Sequence, residues 1–187
     1  IMENTMPKNI DYIFTLSNKD ANYFHKIFPQ KLHNIPVTFK VEYQKVPKIK
    51  NSIFHLGAMD WAPNIEGVNW FLTKVKPLLN VKSGVKIYIA GKNMPSEYFK
   101  YKNILIESSV KNAKTYIQDK EILFVPLFSG SGIRVKILEA MSLGIPVVST
   151  TKGAEGIPCT NNQDILISNN AIGFATAIHR LIENKKL

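Results

Sequence analysis

Apolar positions along the chain follow two alternating rhythms. Short β-favouring runs recur as SIFHLG (52–57), VKIYIA (85–90), NILIES (103–108), EILFV (121–125), PVVS (146–149) and DILIS (164–168), each of a length suited to a buried strand. Between them, apolar residues fall at helical spacing: Val68, Phe71, Leu72, Val75 and Leu79 within 64–79, a shorter stretch over 112–119, then 133–143, and Ile172, Phe174, Ile178, Leu181 and Ile182 within 170–184. Strands alternating with helices predict an α/β fold with a doubly wound parallel sheet, because each crossover must run right-handed over a sheet face. Ligands of such sheets bind beyond the C-terminal strand ends, here Gly57, Gly91, Ser108 to Val110 and Pro126 to Gly132.

The first fifty residues read differently. DYIFTL (11–16) is a short strand, Ser17 is placed to cap a helix from Asn18 to about Phe28, and HNIPVTF (33–39) returns to extended chain. Residues 1–9 have no periodicity. VEYQKVPKIKN (41–51) is polar, basic and broken by Pro47, which marks it as a linker. A boundary near residue 50 is expected, separating 1–50 from a domain at 51–187.

Composition narrows the picture. A chain of 187 residues, 45% hydrophobic and 20% charged, suits one well-buried domain with or without part of another, and neither disorder nor a disulfide scaffold. Its single cysteine, Cys159, forms no internal disulfide and suits a reducing compartment, so the cytoplasm is the expected location. No apolar run approaches the roughly 18 residues of a membrane helix. With 24 Lys and Arg against 14 acidic residues, the net charge of +10 favours an anionic partner: nucleic acid, anionic lipid or a phosphorylated substrate. The lysines are dispersed rather than clustered with aromatics, so no nucleic acid is expected as partner and a nucleic-acid module stands as the rival reading.

Candidate chemistry concentrates in EILFVPLFSGSGIRVKILEAMSLGIPVVSTTKGAEGI (121–157), a strand, glycine loop, helix and strand forming one βαβ unit. Gly130 and Gly132 flank Ser131 just ahead of the helix, so a ligand can approach the backbone there and meet unpaired N–H groups. Arg134 and Lys136 are expected in the first helical turn, where positive charge opposes the helix dipole; a bound anion reverses that cost. A diphosphate suits the amides, the planar fork of Arg134 and the point charge of Lys136. Glu139 shares the side of Lys136, which fits either an i,i+3 salt bridge or a carboxylate that accepts bonds from a ribose diol; spacing does not separate the two. No metal-ligand spacing occurs, since Asp60, Asp119 and Asp164 are dispersed.

The run GSGIRVKILEAMSLGIPVVST, followed by GAEGI at Gly153 to Ile157, resembles the donor-binding half of retaining glycosyltransferases of the GT-B fold, in the large group 1 family. Glu139, Ala140, Met141, Gly144, Pro146, Val147 and Val148 match its motif, and FHLGAMDWAPNIEGVNWF and YIAGK resemble its first two strand ends, so the likeness covers about 52–184. It implies a Rossmann-like half of a two-domain enzyme that transfers a hexose from a nucleotide-diphosphate sugar to a glycan or lipid-linked acceptor. By resemblance, the diphosphate falls to Gly130, Ser131, Gly132, Ile133, Arg134 and Lys136, the ribose to Glu139, and the base pocket to Ser109 and Val110; Gly57, Asp60, Lys92 and Ser129 are further candidates for sugar or phosphate contact. Two departures stand out. Ser131 occupies the position, eight before Glu139, where many relatives carry a first glutamate, and the loop AMDWAPN lacks their Arg and Lys, a loss for which Arg134 and Lys136 are expected to compensate.

The resemblance extends to the leading segment, where NIDYIFTLSNKDANYF looks like the last strand and helix of an acceptor-side domain. The chain alone is then expected to bind donor without full transfer, with no cofactor and no metal, and with peripheral membrane association through its basic surface. None of His25, His33, His55 and His179 is assigned a catalytic role. An epimerase or phosphorylase of the same fold is an alternative, although acid/base side chains for epimerisation are not found. Trp70 is expected in the core and Trp61 in the loop after the first core strand, with Asn64 equally placed to cap the following helix or to bond a sugar.

Overall fold

The computed structural model describes residues 10–42, 46–79 and 84–184, which divide into two compact units. The first ends at Thr38. In it, β1 (Ile13–Thr15), α1 (Asn18–His25) and β2 (Leu32–Asn34) form a two-stranded parallel ribbon with Ile13 opposite Leu32. Ser17 caps α1 as its sequence predicts, its hydroxyl accepting the Asp20 N–H at 3.1 Å. Alternation along the strand buries Ile13 and Thr15 and leaves Tyr12, Phe14 and Leu16 exposed.

The division falls ahead of the expected boundary near residue 50, because the stretch taken as a linker is bonded into the second unit. Glu42 donates its N–H to Ser142 O and accepts from Lys114 Nζ at 2.5 Å, while Ile49 donates to Asp119 O. Tyr43 to Lys45 lie outside the described residues.

The second unit holds, among the described residues, six parallel strands in the order β5-β4-β3-β6-β7-β8: β3 (Ser52–Leu56), β4 (Lys86–Ala90), β5 (Ile104–Glu107), β6 (Ile122–Val125), β7 (Val147–Ser149) and β8 (Leu166–Ile167). The helices are α2 (Ala62–Trp70), α3 (Ala113–Gln118), α4 (Val135–Ser142) and α5 (Ala171–Glu183). Every central strand is buried on both faces, which is why its sequence is a continuous apolar run instead of an alternating one. One face packs Ile53, Ile89 and Phe124 against Val68, Phe71 and Ile178; the other packs Phe54, Leu123 and Val125 against Ile117, Ile137 and Ala140. Phe71 stacks on Phe124 with ring centroids 4.0 Å apart. The fold is therefore the doubly wound α/β sheet that the sequence predicts.

The helix expected over 64–79 is not uniform. After Trp70 it widens into a π-turn at Phe71–Val75 and tightens into a 3₁₀ turn at Lys76–Leu78. Pro77 has no N–H to continue the α-ladder, and the Lys76 N–H reaches back to Phe71 O.

Candidate functional site

The strand order reverses direction between β3 and β6, so the crevice beyond their C-terminal ends is the position where a doubly wound sheet receives its ligand. Two loops frame it: Gly57 to Trp61 after β3, and Pro126 to Arg134 after β6. Their side chains meet. Gly130 lies at φ 91°, and a Cβ there would sit 2.6 Å from Cζ2 of Trp61, so only glycine lets the two loops close on one another. Gly132 lies at φ 82° with no atom within 4 Å of a notional Cβ, which leaves open space over the loop. Among the described residues, none of the amides of Gly130, Ser131, Gly132 and Ile133 has a hydrogen-bond partner. Ser131 is exposed, and the Ser129 hydroxyl donates to Glu66 Oε2 at 2.5 Å.

Lys136 falls in the first turn of α4 as the sequence predicts, and Arg134 does not. Helix α4 begins at Val135, so Arg134 is its N-cap residue and not part of the first turn. Neither cation is a solvated surface group. Arg134 is 5% exposed, with Nη1 donating to Ser131 O at 2.7 Å and also to Gly132 O, and Nη2 reaching Ser129 O at 3.5 Å. The Trp61 ring covers the guanidinium at 5.2 Å. Burial lowers the Arg134 pKa, partly offset by the charge of Glu155 in the loop after β7, and Glu155 also pairs with Lys152 at 2.6 Å.

Lys136 turns towards the end of β3, donating to Leu56 O at 2.7 Å and lying 3.5 Å from Asn64 Oδ1. Burial, reinforced by Arg134, pushes its pKa down to about 7. Asn64 does not cap α2; Trp61 holds that position, and Asn64 donates to Ala58 O at 2.8 Å from within the helix. Beneath this group His55 is fully buried, with Nδ1 3.1 Å from Phe124 O and Nε2 unpartnered among the described residues. Burial and then Lys136 hold its pKa well below the usual histidine value, so the ring is neutral.

The remaining candidates are spread along the same end of the sheet. Glu139 is half-buried on α4 and, among the described residues, makes no ion pair with Lys136. Ser109 is exposed and Val110 half-buried just beyond the edge strand β5, separated from β3 by β4. Lys92 is exposed, and its carbonyl accepts the Met59 N–H at 2.9 Å; Asp60 is exposed and accepts from Asn93 Nδ2 at 2.9 Å. Tyr98 and Phe71 are core residues, Tyr98 bonding Asn69 Oδ1 at 2.8 Å. A groove of ≈ 610 Å³ opens beside the glycine loop, lined by Phe128, Lys152, Glu155, Cys159 and Asn169 among others. Among the described residues, no helix is long and apolar enough to cross a membrane, and no group of three or more His, Cys, Asp or Glu is placed to hold a metal ion.

Sequence reasoning missed Asn64 and Glu66 as the partners of Lys136 and Ser129, and the contact of Trp61 with Arg134. All three arise from α2 crossing behind the glycine loop, a contact between segments some 60 to 70 positions apart that periodicity does not encode.

A family model described as "Glycosyl transferases group 1" matches residues 50–184. A protein of Klebsiella pneumoniae described as an uncharacterized 44.6 kDa protein in the cps region is 29% identical over 163 residues, covering 81% of this chain and 42% of that protein. Among solved structures, Anabaena HepE in complex with UDP-glucose superposes with a TM-score of 0.76 at 12% identity, over 98% of this chain and 57% of that one. S. aureus TarM, in a complex that includes UDP, gives a TM-score of 0.73 at 17% identity, over 94% of this chain and 37% of that one. The chain thus spans about half or less of the length of these relatives, and the structural likeness at such identities is one of fold.

Proposed function

The chain belongs to the group 1 glycosyltransferases, and from that premise we propose that its glycine loop and the start of α4 hold the diphosphate of a nucleotide-sugar donor. One observation carries the reading: four successive amides, Gly130 to Ile133, are unpaired among the described residues at the crevice where the strand order reverses, with open space at Gly132. Lys136 supplies charge beneath them. Its ammonium, delivered from α4 to the end of β3, stands under the loop that lacks cations of its own, which supports the expected compensation.

In this reading Glu139 accepts from the ribose diol, and Ser109 and Val110 receive the base farther along the sheet. Departure of the nucleoside diphosphate from the anomeric carbon is assisted by preorganised amides and the Lys136 ammonium, with retention of configuration and no metal. The UDP and UDP-glucose complexes of TarM and HepE support a nucleotide-sugar donor, and the cps-region relative supports a role in cell-envelope polysaccharide synthesis. The acceptor, a glycan or lipid-linked saccharide, is held by a further domain, with the enzyme cytoplasmic and peripheral at an anionic membrane face. The residues described here bind donor without completing transfer.

The test is a thermal-shift screen of UDP, GDP, ADP and their sugars. A ligand at 100 times its Kd stabilises by about 2.7 kcal/mol, a rise of roughly 5–10 °C for a domain of this size. A melting temperature unmoved by all of them contradicts the donor site.

A further inference from the structure

Arg134 is surrounded by its own loop. The residue is buried, and its Nη donors go to the carbonyls of Ser129, Ser131 and Gly132. Trp61 covers the guanidinium and also packs edge-on against Gly130. Arg134 Nε is buried with no partner among the described residues. With Nη1 on two loop carbonyls and Nε buried, the guanidinium is turned inward on its own loop.

The bonds to carbonyls have a geometric consequence. No described peptide is cis, and in a planar trans peptide the C=O of one residue and the N–H of the next point in opposite directions. Drawing the carbonyls of Ser129, Ser131 and Gly132 onto the guanidinium therefore turns the amides of Gly130, Gly132 and Ile133 away from it. Those are three of the four unpaired amides of the loop. The open space at Gly132 lies where such amides are free to meet an anion.

We infer that Arg134 is a positioning residue: its planar fork fixes three peptide planes so that Gly130, Gly132 and Ile133 present their amides to the donor diphosphate, while Trp61 holds the fork in place. The inference rests on the donor-site reading above and assigns to Arg134 a task other than direct phosphate contact. A lysine cannot perform it, because one ammonium is a point donor and not a rigid plane that spans several carbonyls.

The test uses the full chain and two probes, inorganic pyrophosphate and UDP, followed in ¹⁵N–¹H correlation spectra and by calorimetry. In the unmodified chain the amides of Gly130, Gly132 and Ile133 shift on titration. Arg134→Lys, which keeps the charge, weakens pyrophosphate by about ten-fold or more, nearly as much as Arg134→Gln, with the remaining spectrum unchanged. If Arg134→Lys binds within about two-fold of the unmodified chain while Arg134→Gln loses affinity, Arg134 is a charge ligand and the inference is overturned. If both variants lose their dispersed spectra, Trp61→Leu decides: a loss of about three-fold or more supports the positioning role, and unchanged affinity overturns it. Failure of the unmodified chain to bind either probe removes the donor site itself, and this assignment with it, a result distinct from binding that ignores Arg134.

Discussion

Two lysines, one buried and one partly buried, lie at opposite ends of the same sheet and have opposite surroundings. Lys120, at the N-terminal end of β6, is 3% exposed; it donates to Tyr116 O at 2.6 Å and Asp119 Oδ1 at 2.8 Å, and its ammonium lies 3.6 Å and 5.0 Å from the ring centroids of Tyr116 and Tyr88. Lys136, at the C-terminal end, has one carbonyl at 2.7 Å, a distant amide oxygen and, among the described residues, no carboxylate. A buried charge with a full set of partners belongs to the fold, whereas one left short of them is poised for a ligand. Cavity size does not make this distinction: openings of ≈ 420 and ≈ 550 Å³ lie towards the N-terminal strand ends and ≈ 610 Å³ towards the other.

The largest effect is expected where the charge is fully partnered. Lys120→Ala removes two hydrogen bonds and two cation–π contacts, and is expected to lower stability by about 3 kcal/mol in urea titrations while leaving donor affinity unchanged. A loss under about 1 kcal/mol breaks the contrast from that side. Lys136→Met reverses the pattern: donor affinity measured by calorimetry falls about 10- to 100-fold, with stability unchanged or raised because an under-partnered, partly buried cation has gone. A destabilised variant with normal affinity makes Lys136 structural.

The pH dependence sharpens the same comparison. Burial and the charge of Arg134 bring the pKa of ligand-free Lys136 down to about 7. A bound diphosphate favours the ammonium and raises that pKa, so binding takes up a proton, and donor affinity is expected to fall as pH rises from about 7 to 9. Lys136→Met is expected to flatten this profile. For the ligand-free fold the sign is opposite: the unfolded lysine titrates near 10.5 and the folded one near 7, so the unfolded chain holds more protons between them and stability rises with pH across that window. His55, neutral in the fold, makes stability fall as pH drops below 6.5, which acid titration of the melting temperature reads. The smallest expected change is none at all: a chelator leaves donor affinity where it was, and a collapse on chelation refutes metal-independent binding.

The sheet was legible because each central strand is an apolar run bounded by glycine, proline or polar residues, and because Gly130 and Gly132 mark their loop without ambiguity. The π-turn at Phe71–Val75 is not legible in the apolar spacing, although Pro77, which has no N–H, is its visible cause. Polar composition does not disclose that the backbone groups of Glu42 and Ile49, within the stretch that reads as a linker, bond Ser142 and Asp119. Opposition to the helix dipole singles out Arg134 and Lys136 but does not give the direction of their side chains. It depends on where α4 starts, one residue after Arg134, and on carbonyls brought near by the loop and by β3. The spacing of Lys136 and Glu139 suggested a salt bridge that the described residues do not form, because Leu56 O lies within reach of the ammonium.

The most direct measurement is a co-crystal structure of the chain with UDP or the nucleoside diphosphate that most raises its melting temperature. The account predicts phosphate oxygens about 2.7–3.2 Å from the amides of Gly130, Gly132 and Ile133, with the ribose at Glu139. Phosphates seated elsewhere, in the groove beyond β7 or at the N-terminal strand ends, with the glycine loop left empty, contradict it.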